Sequence, residues 1–245
     1  MPNQSSSARL RVVAALLVVI PAVFSQSACS GKRVAPETIA GAPTRLALLP
    51  FNVPTGNKDL RWIALAAPIL MAKEGERAEG LEIIPLWESM PVALNISGSS
   101  RAFTQESAAT AASWLTAKWS TLGEITPTKT GISMIVDFIP SRANQVPFRY
   151  SKSGRPDTVG AGFQDAYRQF LRYLAAKPFP RAGNDDLTMT KAKDLAEAVD
   201  REYGWFVDAE PGKAQEIVSG LMHSDERLAK FLFSPTLYPE LAGKK

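Results

Sequence analysis

Apolar residues along this chain come in short runs whose period switches between continuous or alternating stretches and helical spacing. Arg45-Leu46-Ala47-Leu48-Leu49-Pro50-Phe51 is a compact apolar run followed by Asn52-Val53-Pro54-Thr55-Gly56-Asn57, a pattern that predicts a buried strand entering a loop. Leu60, Ile63, Ala64, Ala67 and Met71 then recur at helical spacing. Pro68 has no amide to donate inside a helix, so a short turn is expected first, with the helix starting near Pro68. Leu81-Glu82-Ile83-Ile84-Pro85 reads as a second short strand, and the order strand, helix, strand implies a crossover and a parallel pair. A loop is expected next, with Asn95-Ile96-Ser97-Gly98-Ser99-Ser100 as its polar end.

Thr104 is a candidate N-cap for a helix running to about Lys118, with Ala108, Ala111, Ala112, Leu115 and Trp119 on its buried stripe. Glu106 stands two residues on rather than three, so no Glu capping box forms. Three extended segments follow in succession: Trp119 to Ile125, Ile132 to Ile139 and Val146 to Ser151. They are separated by turns at Thr126–Gly131 and Ser141–Gln145. Ile132, Met134, Val136 and Phe138 share one face of the second segment, and Pro147 suits the third to a sheet edge. Phe163, Ala166, Tyr167, Phe170, Leu171 and Leu174 are in register for a closing helix. Together these elements predict an α/β (α+β) fold: a mixed sheet with a parallel β-α-β start, an antiparallel meander and helices packed on it.

Beyond Lys177-Pro178-Phe179-Pro180 the pattern becomes helical and shorter-ranged. Thr188 or Thr190 caps a helix through Tyr203, with Leu195, Ala196, Val199 and Tyr203 on one stripe. Glu210-Pro211-Gly212 starts another helix through Met222, Ser224-Asp225-Glu226 caps a third, and Ser234 to Pro239 is extended. The aromatic residues Trp205, Phe206, Phe231, Phe233 and Tyr238 are expected to pack back onto the domain; a partner groove is the alternative.

The first residues have a different character. Arg9 and Arg11 open a polar, acid-free start, Val12 to Phe24 is an apolar run of about 13 residues, and Ser25-Gln26-Ser27-Ala28 precedes Cys29. This is the layout of an export signal, and the run falls short of the ~20 residues of a membrane-spanning helix. Cys29 is the one cysteine of the 245 residues. Exported chains carry cysteines mostly in pairs, so a single one is best explained by a sulfur already in use. Removing residues 1–28 takes away Arg9 and Arg11 and no acid, which lowers the formal charge from +4 to +2. With no basic run besides, no nucleic-acid partner is expected. Ser30 to Thr44 is rich in Gly, Pro, Ala and polar residues without periodicity and reads as a tether. The expected organisation is a signal peptide at 1–28, a lipidated tether at 29–44, an α/β domain at 45–177 and a helical appendage at 178–245.

No set of residues with convergent chemistry stands out. His223 is the sole histidine, so zinc or Ser-His-Asp chemistry lacks partners for it. Pro54-Thr55-Gly56-Asn57-Lys58 lacks the spaced first glycine and the hydroxyl after lysine of a phosphate loop. Gly160-Ala161-Gly162 opens a helix, Asp185-Asp186 has no third acid at ligand spacing, and Asp137 is expected on the solvent side of its strand. No catalytic residue, cofactor or metal is therefore expected.

Two resemblances add to this reading. Ser27-Ala28-Cys29 resembles the lipobox of bacterial lipoproteins and departs from it at Gln26, where an aliphatic residue is usual. It implies lipidation of Cys29, and Ser30 after it implies the outer membrane. "RLALLPF", "WIALAAPILM", "GLEIIP" and "STLGEITPTKTGISMIVDFIPSRANQVPFRYS" are similar to the amino-terminal domain of TolB. That domain type also occurs in FlgO, LpoB and the periplasmic part of CsgG. The resemblance covers residues 45–176 and implies a non-catalytic envelope lipoprotein with one or more envelope protein partners. It departs from the pattern at Pro68. A periplasmic ligand-binding module using the sheet edge, and a small enzyme with a scattered site, are the rival expectations.

Overall fold

The computed structural model describes residues 43–54, 56–75, 78–174, 187–206, 219–221 and 223–235. Five strands form one sheet in the order β2-β1-β3-β4-β5. β1 (Thr44–Ala47) pairs in parallel with β2 (Leu81–Ile84) and with β3 (Trp119–Thr128). β3, β4 (Gly131–Pro140) and β5 (Phe148–Gly154) make the antiparallel meander. The mixed sheet, its parallel start and the edge position of β5 all match the sequence pattern.

β1 is shorter than its apolar run because the ladder gives way to side-chain bonding. The Leu49 amide donates to the Thr121 hydroxyl at 2.9 Å, and Pro50 has no amide to contribute. Leu48, Leu49 and Phe51 remain fully buried, and Asn52 pairs once more beside Glu124. Pro127 lies inside β3, but above the point where that side of β3 has a neighbour, so its missing donor breaks no ladder.

Three sequence expectations on helices need correction. One is that the helix after Thr104 runs to about Lys118: it ends at Trp114, and Trp119 opens β3 instead of joining its stripe. The first helix does not start near Pro68: α1 runs unbroken over Arg61–Gly75 with Pro68 inside it, after a single 3-10 turn at Lys58–Leu60. Pro68 leaves the carbonyl of Ala64 without its helical donor, and the Phe51 amide, arriving from the end of the β1 segment, supplies one at 2.9 Å. The loop expected after β2 is in fact α2 (Leu86–Ser97), which contains Pro91. Leu86, Met90 and Ala93 are completely buried, at a spacing that defines a helical stripe.

α3 (Gln105–Trp114) begins at Thr104 as expected, yet its box is closed by serine. The Ser107 amide donates to the Thr104 hydroxyl at 3.2 Å, and the Thr104 amide donates back to the Ser107 hydroxyl at 2.8 Å. α4 (Pro156–Tyr173), α5 (Met189–Tyr203) and a short α6 (Glu226–Leu232) complete the named helices. Consecutive residues of β3 show which helix covers which face. Trp119 meets the Phe170 ring of α4 edge-on at 5.3 Å, while the Ser120 hydroxyl donates to Ala108 of α3 at 2.7 Å. α4 and α1 thus cover one face, with α5 packed on α1, and α3 covers part of the other. The small residues Ala108 and Ala111 let α3 lie close enough for that hydrogen bond.

The core on the α4 side is aromatic. Phe138 and Phe170 stack at 3.9 Å between centroids, flanked by Trp119, Phe148 and Tyr173. The carboxy-terminal helices share this core: Leu195, Val199, Trp205, Leu228 and Phe233 belong to the same buried cluster as the sheet. Trp205 stacks on Phe103 at 6.0 Å, and Lys73 of α1 binds Asp225, the N-cap of α6, at 2.7 Å. Trp205 and Phe233 are therefore core, Phe206 and Phe231 are half-buried, and Tyr238 lies outside the described residues.

Candidate functional site

A cleft of about 450 Å³ opens where the 3-10 turn and the first turn of α1 face α5. Its volume falls within the range of small-ligand sites, roughly 300–1,000 Å³. Trp62 and Phe206 are its apolar walls, and each carries a cation. The Lys193 ammonium lies 5.9 Å from the Trp62 ring centre, and the Arg61 guanidinium 5.6 Å from that of Phe206. Acids stand beside them on α5. Glu197 pairs with Arg201 at 3.5 Å, and the Asp200 carboxylate accepts the Phe206 amide at 2.7 Å. Gly204 in the left-handed conformation (φ 61°) ends α5 and turns the chain so that Trp205 enters the core and Phe206 returns to the cleft. Burial raises the Asp200 carboxyl above its ordinary range, against the opposing pull of the Phe206 amide and of Arg61. The arrangement offers aromatic faces and charges of both signs, a lining suited to holding a small polar molecule or a peptide end.

A second acid is more strongly perturbed. Glu202, on the other side of α5, accepts the Ser234 amide at 3.3 Å through Oε1, while its Oε2 is buried without a hydrogen-bond partner among the described residues. Burial pushes this carboxyl up to about 7. The Ser234 amide and the nearby Tyr203 hydroxyl pull the other way, the latter without hydrogen-bonding geometry. The folded state thus holds the proton more tightly than the unfolded chain, in which a glutamate titrates near 4.3. This contribution to stability is complete below the unfolded value and is lost as pH rises through about 7. The urea midpoint of the protein is expected to fall between pH 5 and pH 7.5, and Glu202→Gln is expected to flatten that slope. Equal slopes in the two proteins would show that Glu202 is solvated.

The residues singled out from sequence are not brought together. Cys29, the expected lipidation site, lies outside the described residues, as do Thr55 and Asp185-Asp186. His223 is exposed, its Nδ1 bound to the Ser219 carbonyl at 2.7 Å. Gly160 and Gly162 are packing positions: a Cβ on Gly160 would collide with Met189, and one on Gly162 would press on Met134 and Lys152 at 3.1 Å. Asp137 is not on an open solvent face; it is 7% exposed. Both its oxygens accept from Arg149 of β5, at 2.6 and 2.7 Å, and the half-exposed arrangement of that pair makes it a modest structural tie. Among the described residues no group of three or more His, Cys, Asp or Glu side chains is placed to hold a metal ion.

No family model matches the chain, and no curated protein does. TolB from Acinetobacter baumannii is a distant structural neighbour. Its similarity covers 56% of this chain and 29% of the TolB chain, at 16% identity and a TM-score of 0.33. A PelC dodecamer from Paraburkholderia phytofirmans is similar over 56% of this chain and 93% of its own, at 16% identity and a TM-score of 0.27. The matched region thus spans less than a third of the TolB chain.

Sequence reasoning put Phe206 in an aromatic set with a partner groove as its alternative, but brought none of Trp62, Lys193 and Asp200 to it. Trp62 and Lys193 stand far apart along the chain and meet because α5 packs across α1. The one available signal was that Trp62 and Phe206 fall off the apolar stripes of their own segments.

Proposed function

We propose that the protein is a non-catalytic envelope lipoprotein, held at a membrane through Cys29, whose α/β domain docks partner proteins in the periplasm. The observation that carries this reading is the order Arg9, Arg11, apolar Val12–Phe24 and Cys29, followed by a tether-like segment and then a folded unit from Thr44 onward. Among the described residues no helix is long and apolar enough to cross a membrane; in this reading the lipid on Cys29 supplies the attachment. Docking is supported by the free edge of the sheet. The outer edge of β5 carries exposed Arg149, Ser151, Lys152 and Ser153, a polar rim beside a backbone edge of the kind that takes an added strand. The cleft between α1 and α5 favours the second reading, a periplasmic ligand-binding module.

Lipidation is tested by fractionation. The wild-type chain is expected to sediment with membranes and to accumulate as a larger precursor under globomycin, and Cys29→Ala to move to the soluble or precursor fraction. Identical fractionation of the two chains would remove the anchor.

A further inference from the structure

The last turn of α3, the link from α3 into β3, the β4–β5 loop and the end of α4 all lie at one end of the sheet. β1 starts there too. The Lys118 amide donates to Arg45 of β1 at 3.0 Å, and the Ser141 amide, just past β4, donates to Lys118 at 2.9 Å. Phe148, the first residue of β5, meets the Tyr173 ring at the end of α4, 5.1 Å between centroids. The link itself is held in an uncommon shape. Thr116 has φ 52°, and the Arg45 guanidinium clamps it by donating to the Thr116 hydroxyl and to the Leu115 carbonyl. The clamp fixes the direction in which the end of α3 projects.

Two large apolar side chains stand out in solvent among the described residues, and both are at this end. Trp114, the last residue of α3, is 59% exposed, and Val146, in the β4–β5 loop, is 75% exposed. Lys118, Arg142 and Arg172 are exposed at the same end of the sheet. Of the acids at this end, Glu82 is bound to Arg45 at 3.3 Å and Glu74, at the end of α1, to Arg168 at 2.7 Å, while Glu79 on the β2 side is exposed. This end of the domain thus presents apolar tips together with exposed basic residues.

We infer that this end of the domain lies against an anionic phospholipid surface, with Trp114 and Val146 at the headgroup boundary and Lys118, Arg142 and Arg172 over the phosphates. The inference rests on the anchoring reading above and deepens it. Only 14 residues, 30–43, separate Cys29 from β1. On the tether reading of its composition, a segment of that length has a root-mean-square reach of about 20 Å. A lipid on Cys29 therefore keeps the β1 end, rather than the β3–β4 hairpin end, near the bilayer. Tryptophan favours the headgroup level because its ring is apolar and its N–H is polar. Lysine and arginine near the surface are drawn to anionic headgroups within a Debye length. One anchor combined with a basic patch also gives firmer attachment than either element alone.

The test uses the full chain purified from membranes and reconstituted into vesicles of phosphatidylethanolamine with about a third phosphatidylglycerol, containing a lipid brominated on its acyl chain near the headgroup. Of the five tryptophans, Trp114 is the exposed one among the described residues, so Trp114→Phe leaves the fold intact. Bromine quenching of the wild-type fluorescence is expected to exceed that of Trp114→Phe by more than half. The difference is expected to shrink at least twofold in Lys118→Glu/Arg142→Glu and in vesicles without phosphatidylglycerol. Equal quenching of wild type and Trp114→Phe in chains that float with the vesicles overturns the apposition and leaves the anchor standing. A difference that persists unchanged in the charge-reversed variant or in neutral vesicles overturns the anionic-lipid assignment. Chains that do not float with the vesicles overturn the anchor and this inference together.

Discussion

Phe170→Ala is expected to lower the unfolding free energy by about 3–5 kcal/mol. Phe170 is fully buried, stacked on Phe138 at 3.9 Å and edge-on to Trp119 at 5.3 Å, with Phe148 and Tyr173 within 6.3 Å. Truncation removes the apolar area of one ring and leaves a hole whose walls are themselves stiff rings on three strands and a helix. Such walls collapse poorly, which places the cost at the high end of what a core truncation does. The loss is comparable to much of the net stability of an ordinary domain, about 5–15 kcal/mol. Urea unfolding followed by tyrosine and tryptophan fluorescence measures it. A shift under about 1.5 kcal/mol would mean that α4 is not seated on the meander through this stack. Phe170→Leu is the control: it keeps most of the volume and is expected to recover at least half of the loss.

The second large effect is expected at Gly123 of β3, where Ala should cost about 3 kcal/mol, the upper end for overpacking. A Cβ there would overlap the Cγ and Cδ atoms of the Phe51 ring. That ring cannot withdraw, because it is buried, faces Phe163 edge-on at 5.6 Å, and its backbone amide is spent on the Ala64 carbonyl that Pro68 leaves open. The glycine is needed for close approach, not for an unusual backbone angle. The diagnostic result is therefore a double mutant. Phe51→Leu gives room at Gly123, and Gly123→Ala/Phe51→Leu is expected to be more stable than the sum of the two single losses requires, by about 1 kcal/mol or more. Strict additivity would show that the two positions do not touch.

These positions also show how far the chain's pattern could be read. The stripe Phe163, Ala166, Tyr167, Phe170, Leu171 and Leu174 is periodic, and every member is buried in α4 or at its end. The alternation of Ile132, Met134, Val136 and Phe138 likewise states which side of β4 meets the core. Both signals are local: they depend on a helix or strand having one covered face. Proline misled the reading of α1 for the same reason. A missing amide looks disruptive in isolation, and the donor that compensates for Pro68 comes from Phe51, 13 residues before Ala64 and in another element. Gly123 gave no local signal either, since nothing in "STLGEIT" names the ring that lies over it.

The functional features divide along the same line. The export-like start and the proposed lipidation at Cys29 are read from the sequence alone, because export processing and lipid attachment in general act on a linear motif. The class of the fold was also set by the sequence, through the order of its apolar periods and the turns between them. The tertiary structure decided what those periods cannot encode. It put Trp62 and Lys193 on one cleft, gave Asp137 its partner on β5, and buried Glu202 against the segment at Ser234. It also placed Trp114, Val146, Lys118 and Arg142 at the end where β1 begins. The physical reason is range: hydrogen-bonding period and hydrophobic stripe act over a few residues, whereas a site is made by side chains that only packing brings within reach.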